Sequence, residues 1–205
     1  MTPSGRRPYR APRRDAIRNQ TRQHIRSAAR ELFLTHGYAA TTLAQVGEQV
    51  IKVAVAGDDA QLPLARRERW TAMLGAGGQG TLTAYAALST EICERTAGLL
   101  AVATTAAESD EKLAEMRASA LHRRHEDCAN VIGALSADGS LTSGYTLAEA
   151  ADIFYALTSP ETFLVLTRER GWPPARYESW LVRILVASLL NNGRACETAA
   201  RRQTD

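Results

Sequence analysis

The chain lacks the sequence features of membrane-spanning and secreted proteins. None of its apolar runs is long enough to cross a bilayer, and its start, MTPSGRRPYRAPRRD, has no apolar core of a signal peptide. It has only three cysteines, Cys93, Cys128 and Cys196, an odd number without paired spacing, which argues against a disulfide framework. These absences predict a cytoplasmic protein in a reducing compartment, whose cysteines are small core or surface residues.

A strong net charge is also missing, since the formal net charge is only +3. The distribution of charge is uneven, however. Residues 1–30 hold nine arginines and a single acid, Asp15, for a formal charge of +8, so that the rest of the chain carries −5. A basic N-terminal arm on an acidic body is the electrostatic footprint expected of a phosphate-binding protein.

The residue groups that would carry catalysis or hold a metal are incomplete. His122, His125 and Glu126 share one predicted helix, but no third ligand is visible and the intervening Arg123 and Arg124 would repel a cation. The glycine cluster GAGGQG lacks the preceding strand and the Lys-Ser/Thr pair of a phosphate-binding loop. We therefore predict that the protein is not an enzyme and has no cofactor and no metal site, and a small helical enzyme is the least favoured alternative.

Hydrophobic periodicity predicts an all-α fold, because nothing alternates at period two over a strand length except a few residues at Ile51 to Val55. Glycine and proline positions separate the helices, with a flexible connection at Gly75, Gly77, Gly78 and Gly80 and a bend at Pro160. The predicted helices are about Asp15–His36, Thr42–Gln49 with a possible extension through Ala56, Leu64–Leu74, Thr81–Ala107, Ser109–Ala137, Leu147–Arg168 and Pro174–Leu190.

The segment from Thr21 to Gln49 predicts the first half of a helical DNA-binding head. One apolar stripe recurs at helical spacing while Arg22, Arg26 and Arg30 lie off it; its members are Ile25, Ala28, Ala29, Leu32, Phe33 and His36. Gly37 ends this helix, and Thr41 or Thr42 caps a second one. A turn and a polar helix able to enter a groove should follow, but Val50 to Ala56 is apolar and carries one charge.

At these residues the chain resembles the tetracycline-repressor (TetR) family of bacterial transcription regulators. The resemblance covers LFLTHGYAATTLAQVGEQ, resumes at VIKVAVAGDD, and continues weakly through a helical remainder to about Leu190. In that family a turn such as AGVS and a recognition helix with a Tyr-x-x-Phe ending stand between the two blocks, whereas here Gln49 joins Val50 directly. Either the protein has lost this segment, or the sequence given omits it.

The predicted contacts with DNA are all in the N-terminal part of the chain. Arginines on a basic arm can reach phosphates or a narrow minor groove, which gives salt-sensitive affinity with little sequence discrimination; these are Arg10, Arg13, Arg14, Arg18 and Arg22. The resemblance places Tyr38, Thr41 and Thr42 where the family's second helix meets the DNA backbone, with Thr42 the best phosphate candidate. No base-reading residue can be named.

The last helix predicts a dimer interface, because its apolar surface is wider than a one-sided surface helix needs. The predicted interface residues are Tyr177, Trp180, Leu181, Ile184, Leu185 and Leu189, with Val182, Val186 and Leu190 widening the stripe. The resemblance implies the same, since TetR-like proteins dimerise through their last two long helices. The alternative is that these residues pack only within the monomer.

The resemblance also implies a pocket for a small-molecule effector in the body. Aromatic and apolar side chains suit its walls, although each could be ordinary core; the candidates are Trp70, Tyr85, Leu88, Ile92, Met116, Phe154 and Tyr155.

The sequence therefore predicts a disordered, mobile basic arm (1–14), an incomplete helix-turn-helix-type head (15–56), an effector-binding and dimerisation body (57–190) and a tail (191–205). The predicted function is a TetR-like regulator, a repressor, that binds a double-stranded DNA operator as a homodimer under effector control. The alternative is a dimerising or ligand-binding helical module that has lost sequence-specific DNA binding.

Overall fold

The computed structural model describes residues 12–56 and 68–191. Within these two ranges the chain is helical, without strands, apart from a single bridge between Leu141 and Leu190. The prediction of an all-α fold is confirmed. The helices are α1 (Pro12–His36), α2 (Leu43–Ala56), α3 (Glu68–Leu74), α4 (Gly78–Ala106), α5 (Glu111–Ala137), α6 (Leu147–Leu157), α7 (Pro160–Leu164) and α8 (Pro174–Leu189).

The long helix α4 forms the centre of the body and packs against α3, α5, α7 and α8. Its buried side has the three- and four-residue spacing of a helix that faces a core, through Leu82, Ala86, Ser89, Cys93 and Ala97. Burying a large apolar side chain such as that of Leu82 stabilises the fold by roughly 1.5–3 kcal/mol. The core of the body is therefore built around α4.

Buried hydroxyl groups on α4 are satisfied by helix carbonyls. Thr81 donates to the Met73 carbonyl of α3 at 3.0 Å, and Thr90 donates to the Ala86 carbonyl one turn earlier at 2.8 Å. These bonds allow threonine to occupy apolar core positions without an unpaired donor.

The glycine-rich segment before α4 is ordered by Asp138, which lies at the end of α5. The Gly78 amide donates to one Asp138 carboxylate oxygen and the Ser140 amide donates to the other, both at 2.9 Å. Gly77 and Gly78 have positive φ values of 69° and 36°, which glycine adopts without strain. Gly78 and Gly80 belong to α4 itself, so the predicted flexible connection is replaced by a bonded turn.

The helix predicted for Leu147–Arg168 is interrupted at Thr158 and Ser159, the two residues before Pro160. Proline has no amide hydrogen to donate, so α6 ends at Leu157 and the Ser159 hydroxyl caps α7 by accepting from the Thr162 amide at 3.0 Å. A π-helical turn over Val165–Glu169 follows α7. The predicted bend is present, and the structure resolves it into two helices and a π turn.

The head consists of α1, a short 3-10 turn at Tyr38–Ala40 and α2. Thr42 caps α2, since its hydroxyl accepts from the Gln45 amide at 3.2 Å while the Gln45 side chain accepts from the Thr42 amide at 2.8 Å. α2 then continues without a break through Gln49 and Val50 to Ala56. Val46, Val50 and Ala54 are buried at four-residue spacing, so both sides of that junction belong to one helical face.

Candidate functional site

A stripe of exposed arginines runs along α1. Arg22, Arg26 and Arg30 are four residues apart, and none forms an ion pair with any residue in the described ranges. Residues four apart on a helix lie one above the other, about 6 Å apart along the axis. The three guanidinium groups therefore offer a row of unneutralised cations to an anionic partner.

The arginines predicted for a mobile arm fall into two groups. Arg10 lies outside the described residues. Arg13, Arg14 and Arg18 belong to α1, which begins at Pro12, three residues earlier than predicted for the first helix; the positions of their side chains are not among those described. Arg14 and Arg18 continue the four-residue spacing toward the start of α1, so these arginines share a helix with Arg22.

Arg26 and Arg30 were absent from the contacts that the sequence predicted. The sequence nevertheless indicated both residues, because they extend the series Arg14, Arg18 and Arg22 at the same four-residue spacing. The predicted contacts were those nearest the N-terminal arm and ended at Arg22, although periodicity placed Arg26 and Arg30 on the same side of the first helix. The register of α1 adds both residues to the stripe.

Tyr38, Thr41 and Thr42 lie at the turn between α1 and α2. Tyr38 is 81% exposed, and its ring centroid is 5.2 Å from that of Phe33. The Thr41 hydroxyl donates to the Gly37 carbonyl at 2.9 Å, and the Thr42 hydroxyl is held by Gln45. Of the three, Tyr38 alone presents a side chain without a hydrogen bond to a described residue.

The apolar stripe predicted for α1 is only partly covered. Ala28 is buried, and Ala29 and Leu32 pack beside it against Val46 and Val50 of α2. Ile25 and Phe33, which the same periodicity assigned to the core, are 42% and 38% exposed, and His36 is exposed as well. α2 is the main helix packed against α1, and it contacts only the middle of this apolar face. The two ends of the face therefore remain exposed.

The described part of the head contains no base-reading helix. The segment after Gln49 belongs to α2, with Val50 and Ala54 buried, and its charged residue, Lys52, pairs with Glu48 at 2.7 Å. Reading sequence in the major groove requires donors and acceptors aimed at base edges. This face of α2 is apolar and is used for packing instead.

The head is joined to the body through α4. Leu99 packs against the small head core, and the Arg95 side chain donates to the Ala54 carbonyl at 2.9 Å, at the end of α2. Because α4 also carries the centre of the body core, one helix takes part in both hydrophobic clusters. A displacement of α4 in the body would therefore move the contacts that hold α2.

Three of the residues predicted for an effector pocket are packed directly on one another. The ring centroids of Trp70 and Tyr85 are 6.3 Å apart, and those of Tyr85 and Phe154 are 4.5 Å apart. All three side chains are buried, as is Leu88, while Ile92 is partly buried beside them. The structure brings these five residues together as core.

The remaining two predicted pocket residues lie apart from this aromatic stack. Met116 is partly exposed on α5. Tyr155 is partly buried beneath the guanidinium of Arg124, whose central carbon is 3.9 Å from the Tyr155 ring centroid. Arg124 was not predicted, because nothing in the sequence distinguishes it from its neighbour Arg123.

Polar groups gather behind Arg124, in the interior of the body. Its guanidinium donates to the Thr158 hydroxyl at 3.2 Å and to the Tyr155 carbonyl. The Tyr85 phenol and the Cys128 thiol lie close enough to Arg124 for its charge to act on both. This is the polar part of an otherwise apolar interior, which is the combination found at small-molecule sites.

Burial controls the ionisation of the phenols and thiols in this cluster. Desolvation raises the pKa of Tyr85 and of Tyr177 above the usual range, and it raises the pKa of Cys93 to about 11. The pKa of Cys128 is raised for the same reason. These groups are therefore neutral at physiological pH, and Arg124 supplies the positive charge that acts on them.

A surface groove of about 300 Å³ lies between α3 and α4. Of the predicted pocket residues only Leu88 lines it; the other lining residues are Arg69, Ala72, Met73, Ala76, Ala84 and Ala87. Arg69 spans the two helices with a two-pronged ion pair to Glu91, in which both N–O distances are 2.9 Å. The groove is therefore shallow, apolar and bordered by a salt bridge.

Four of the six residues predicted for a dimer interface lie in the core of the single chain. Tyr177, Leu181, Leu185 and Leu189 are fully buried, because the stripe that they form packs against α4 and α6. In the single chain they expose no surface to a second copy, so packing within the monomer, the alternative considered above, accounts for their burial. Trp180 and Ile184 are partly buried and retain exposed surface.

The two histidines considered as ligands form separate pairs. His122 lies 3.3 Å from Glu126, and His125 lies 3.2 Å from Asp152. Nowhere in residues 12–56 and 68–191 do three potential ligands converge on one point. In the same ranges, no helix combines the length and the apolar composition that crossing a membrane requires.

Comparisons with protein-family models, with curated proteins and with solved structures gave no match to this chain.

Proposed function

We propose that the protein is a TetR-like transcriptional regulator, a repressor, whose head binds the phosphate backbone of double-stranded DNA. The observation that carries the proposal is the row of exposed arginines at positions 22, 26 and 30 of α1, which form no ion pair within the described part of the chain. Such side chains bind phosphates and release counterions, which makes the affinity strongly dependent on salt. The concentration of positive charge in residues 1–30 supports the same assignment.

Binding through this face is indifferent to base sequence. The arginines of α1 can contact phosphates, whereas the face of α2 that would have to read bases is packed against α1. The alternative function, a dimerising or ligand-binding module without operator specificity, shares this property. The small hydrophobic cluster between α1 and α2, formed by the buried residues Ala28, Val46 and Val50, favours it as the second candidate.

The body completes the proposal as the effector-binding and dimerisation part of a cytoplasmic homodimer. Arg124, Thr158 and Tyr85 supply polar contacts for an effector inside an apolar interior. A second copy would contact the exposed parts of Trp180 and Ile184. An effector that shifts α4 would alter the spacing of the two heads and so release the DNA.

The test is a salt titration of duplex binding by fluorescence anisotropy. Replacing Arg22, Arg26 and Arg30 together by Gln is expected to weaken binding and to flatten the plot of log affinity against log salt by roughly 0.9 for each lost phosphate contact. The matched control replaces Arg123, Arg170 and Arg183, three exposed arginines of the body, by Gln and removes the same charge. The control variant should retain most of the wild-type slope of log affinity against log salt concentration.

Three results would each contradict a part of the proposal. Equal loss in both triple variants would mean that net charge, and not the α1 stripe, drives binding. A strong preference for one palindromic duplex over unrelated duplexes would contradict the sequence-indifferent mode of binding, because it would show that the head reads bases. A protein that is monomeric and does not bind duplex DNA at low salt has a different function.

A further inference from the structure

An exposed aromatic pair stands at the end of the arginine stripe. Gly37, with φ 81°, reverses the chain after α1 and returns the Tyr38 ring onto Phe33, at an interplanar angle of 51°. The turn is fixed by the bond from the Gly37 amide to the Phe33 carbonyl at 3.0 Å and by Thr41, whose amide donates to the Tyr38 carbonyl at 3.3 Å. The Tyr38 ring is thus held in place while most of its surface remains open.

The aromatic pair and the arginines lie along one side of the head. Arg30 precedes Phe33 by three residues and Leu34 by four, so it is their neighbour one turn earlier on the surface of α1. Arg26 and Arg22 continue the row away from Tyr38. The combination is a short cationic track with an aromatic platform at one end.

Binding to the phosphates of a duplex would explain the row of arginines on α1. It would not explain the exposed rings of Phe33 and Tyr38. Bases in a duplex stack on each other and present only their edges to a protein. A single strand exposes the faces of its bases, which stack on aromatic side chains while its phosphates contact cations. An acidic protein would satisfy the arginines, but it would not require a flat ring that is open to solvent.

We propose that this face, formed by Arg22, Arg26, Arg30, Phe33 and Tyr38, binds single-stranded DNA by stacking a base on Tyr38 and holding the adjacent phosphates with the arginines. The inference rests on the proposed nucleic-acid function of the head and adds the strand form and the stacking residue. Because every base has an aromatic face, this mode of binding also needs no recognition helix.

The test compares three fluorescent ligands with the full chain: an oligothymidylate strand, an abasic strand of equal length and a duplex of equal length. The two single strands carry the same phosphates and differ in their bases. We expect the oligothymidylate to bind roughly fivefold or more tightly than the abasic strand, which is the usual contribution of one stacked base. Equal affinity for the two single strands would overturn the inference.

Substitutions of Tyr38 test whether a base stacks on the ring of this residue. Tyr38→Ala should lower the affinity for oligothymidylate by about fivefold or more and leave that for the abasic strand unchanged, whereas Tyr38→Phe should keep both. Tyr145→Ala is the matched control, because it removes an exposed tyrosine from the body. Oligothymidylate binding that is insensitive to Tyr38→Ala, with circular dichroism showing intact helices, would also overturn the inference.

The three ligands separate failure of this inference from failure of the proposed function. If the duplex binds in a salt-dependent manner and the oligothymidylate binds no better than the abasic strand, stacking is wrong and the proposed function stands. If none of the three ligands binds at low salt, both are wrong.

Discussion

Tyr177 packs edge-on against Phe163 in the centre of the body, with ring centroids 5.0 Å apart and an interplanar angle of 86°. The contact joins α8 to α7 and buries both rings. The Tyr177 hydroxyl is fully buried and has no hydrogen-bond partner in the described structure, whereas the buried hydroxyl of Thr81 donates to the Met73 carbonyl at 3.0 Å. Two buried hydroxyl groups of the same body thus differ in whether they have a hydrogen-bond partner.

The first prediction compares the hydroxyl groups of Tyr177 and Thr81. Tyr177→Phe removes a polar group that has lost its water without gaining a partner, so the free energy of unfolding should stay the same or rise by about 1 kcal/mol. Thr81→Val removes a buried hydroxyl that is bonded to the Met73 carbonyl, and it should lower the free energy of unfolding by about 1 kcal/mol. Urea denaturation of both variants measures the difference. A loss of stability in Tyr177→Phe would indicate that its hydroxyl is bonded, for instance to a buried water.

The second prediction tests the helical conformation of α2 at Gly47. Gly47 lies inside α2, and a Cβ placed there would meet nothing within 4 Å. Gly47→Ala should therefore raise the free energy of unfolding by about 1 kcal/mol, the difference in helix propensity. A decrease would show that α2 is interrupted near this position.

Gly37→Ala is the opposing control in the same head. Gly37 has φ 81° and ψ 155°, a conformation that is essentially restricted to glycine. The variant should lose on the order of 1–3 kcal/mol of stability. Thermal and urea unfolding, followed by circular dichroism, check both glycine variants.

The third prediction follows from the position of Leu185 in the core of the single chain. Leu185→Ala should lower the free energy of unfolding by roughly 2–5 kcal/mol, and the loss should not depend on protein concentration. Arg183→Ala, on the exposed side of the same helix, should change stability by less than about 0.5 kcal/mol. A loss in Leu185→Ala that shrinks as protein concentration rises would place Leu185 at a subunit interface.

The fourth prediction concerns the ion pair between Arg69 and Glu91, which ties α3 to α4. Hydrogen bonding to Arg69 lowers the pKa of Glu91 from its usual 4.5. A lowered carboxyl pKa contributes stability above pH 4.5, and that contribution disappears as the pH falls through the lowered value. Because the two side chains are 57% and 46% exposed, the pair contributes less than about 1 kcal/mol.

Comparison of the wild-type protein with Glu91→Gln at several pH values measures this contribution. The variant should be less stable at neutral pH, and the difference should vanish well below pH 4.5 and shrink in high salt. Glu115→Gln, an exposed glutamate on α5, is the control and should show no such change. A difference that persists at low pH would mean that Glu91 acts through packing rather than charge.

The ends of the helices could be predicted from local residues. Asp110 caps α5 by accepting from the Leu113 amide, α5 ends at Ala137 as expected, and Thr42 caps α2. Each of these ends depends on hydrogen bonds between residues three or four apart, so the sequence contains both partners. The glycine turn before α4 could not be predicted, because it is held by Asp138, which is distant in sequence.

In the candidate site, too, the local features could be predicted from the sequence, whereas the contacts between distant residues could not. The exposed positions of Arg22, Arg26 and Arg30 followed from helical periodicity, and the structure agrees with them. The open ends of the apolar face on α1 did not follow, because periodicity marks Ile25 and Phe33 as members of one stripe without saying which neighbour covers it. The polar cluster at Arg124 depends on α5 meeting the end of α6, which no local pattern indicates.

The sequence by itself determined the helical class, the helix ends that are capped locally, the glycine turn at position 37 and the row of arginines on α1, since these depend on neighbours within about one turn. Only the tertiary structure decided that the stripe containing Tyr177 and Leu185 packs inside the single chain, and that Tyr38 is left open. Periodicity specifies which side of a helix is apolar. Burial depends on which other helix reaches that side, and such contacts join residues that are far apart in the chain.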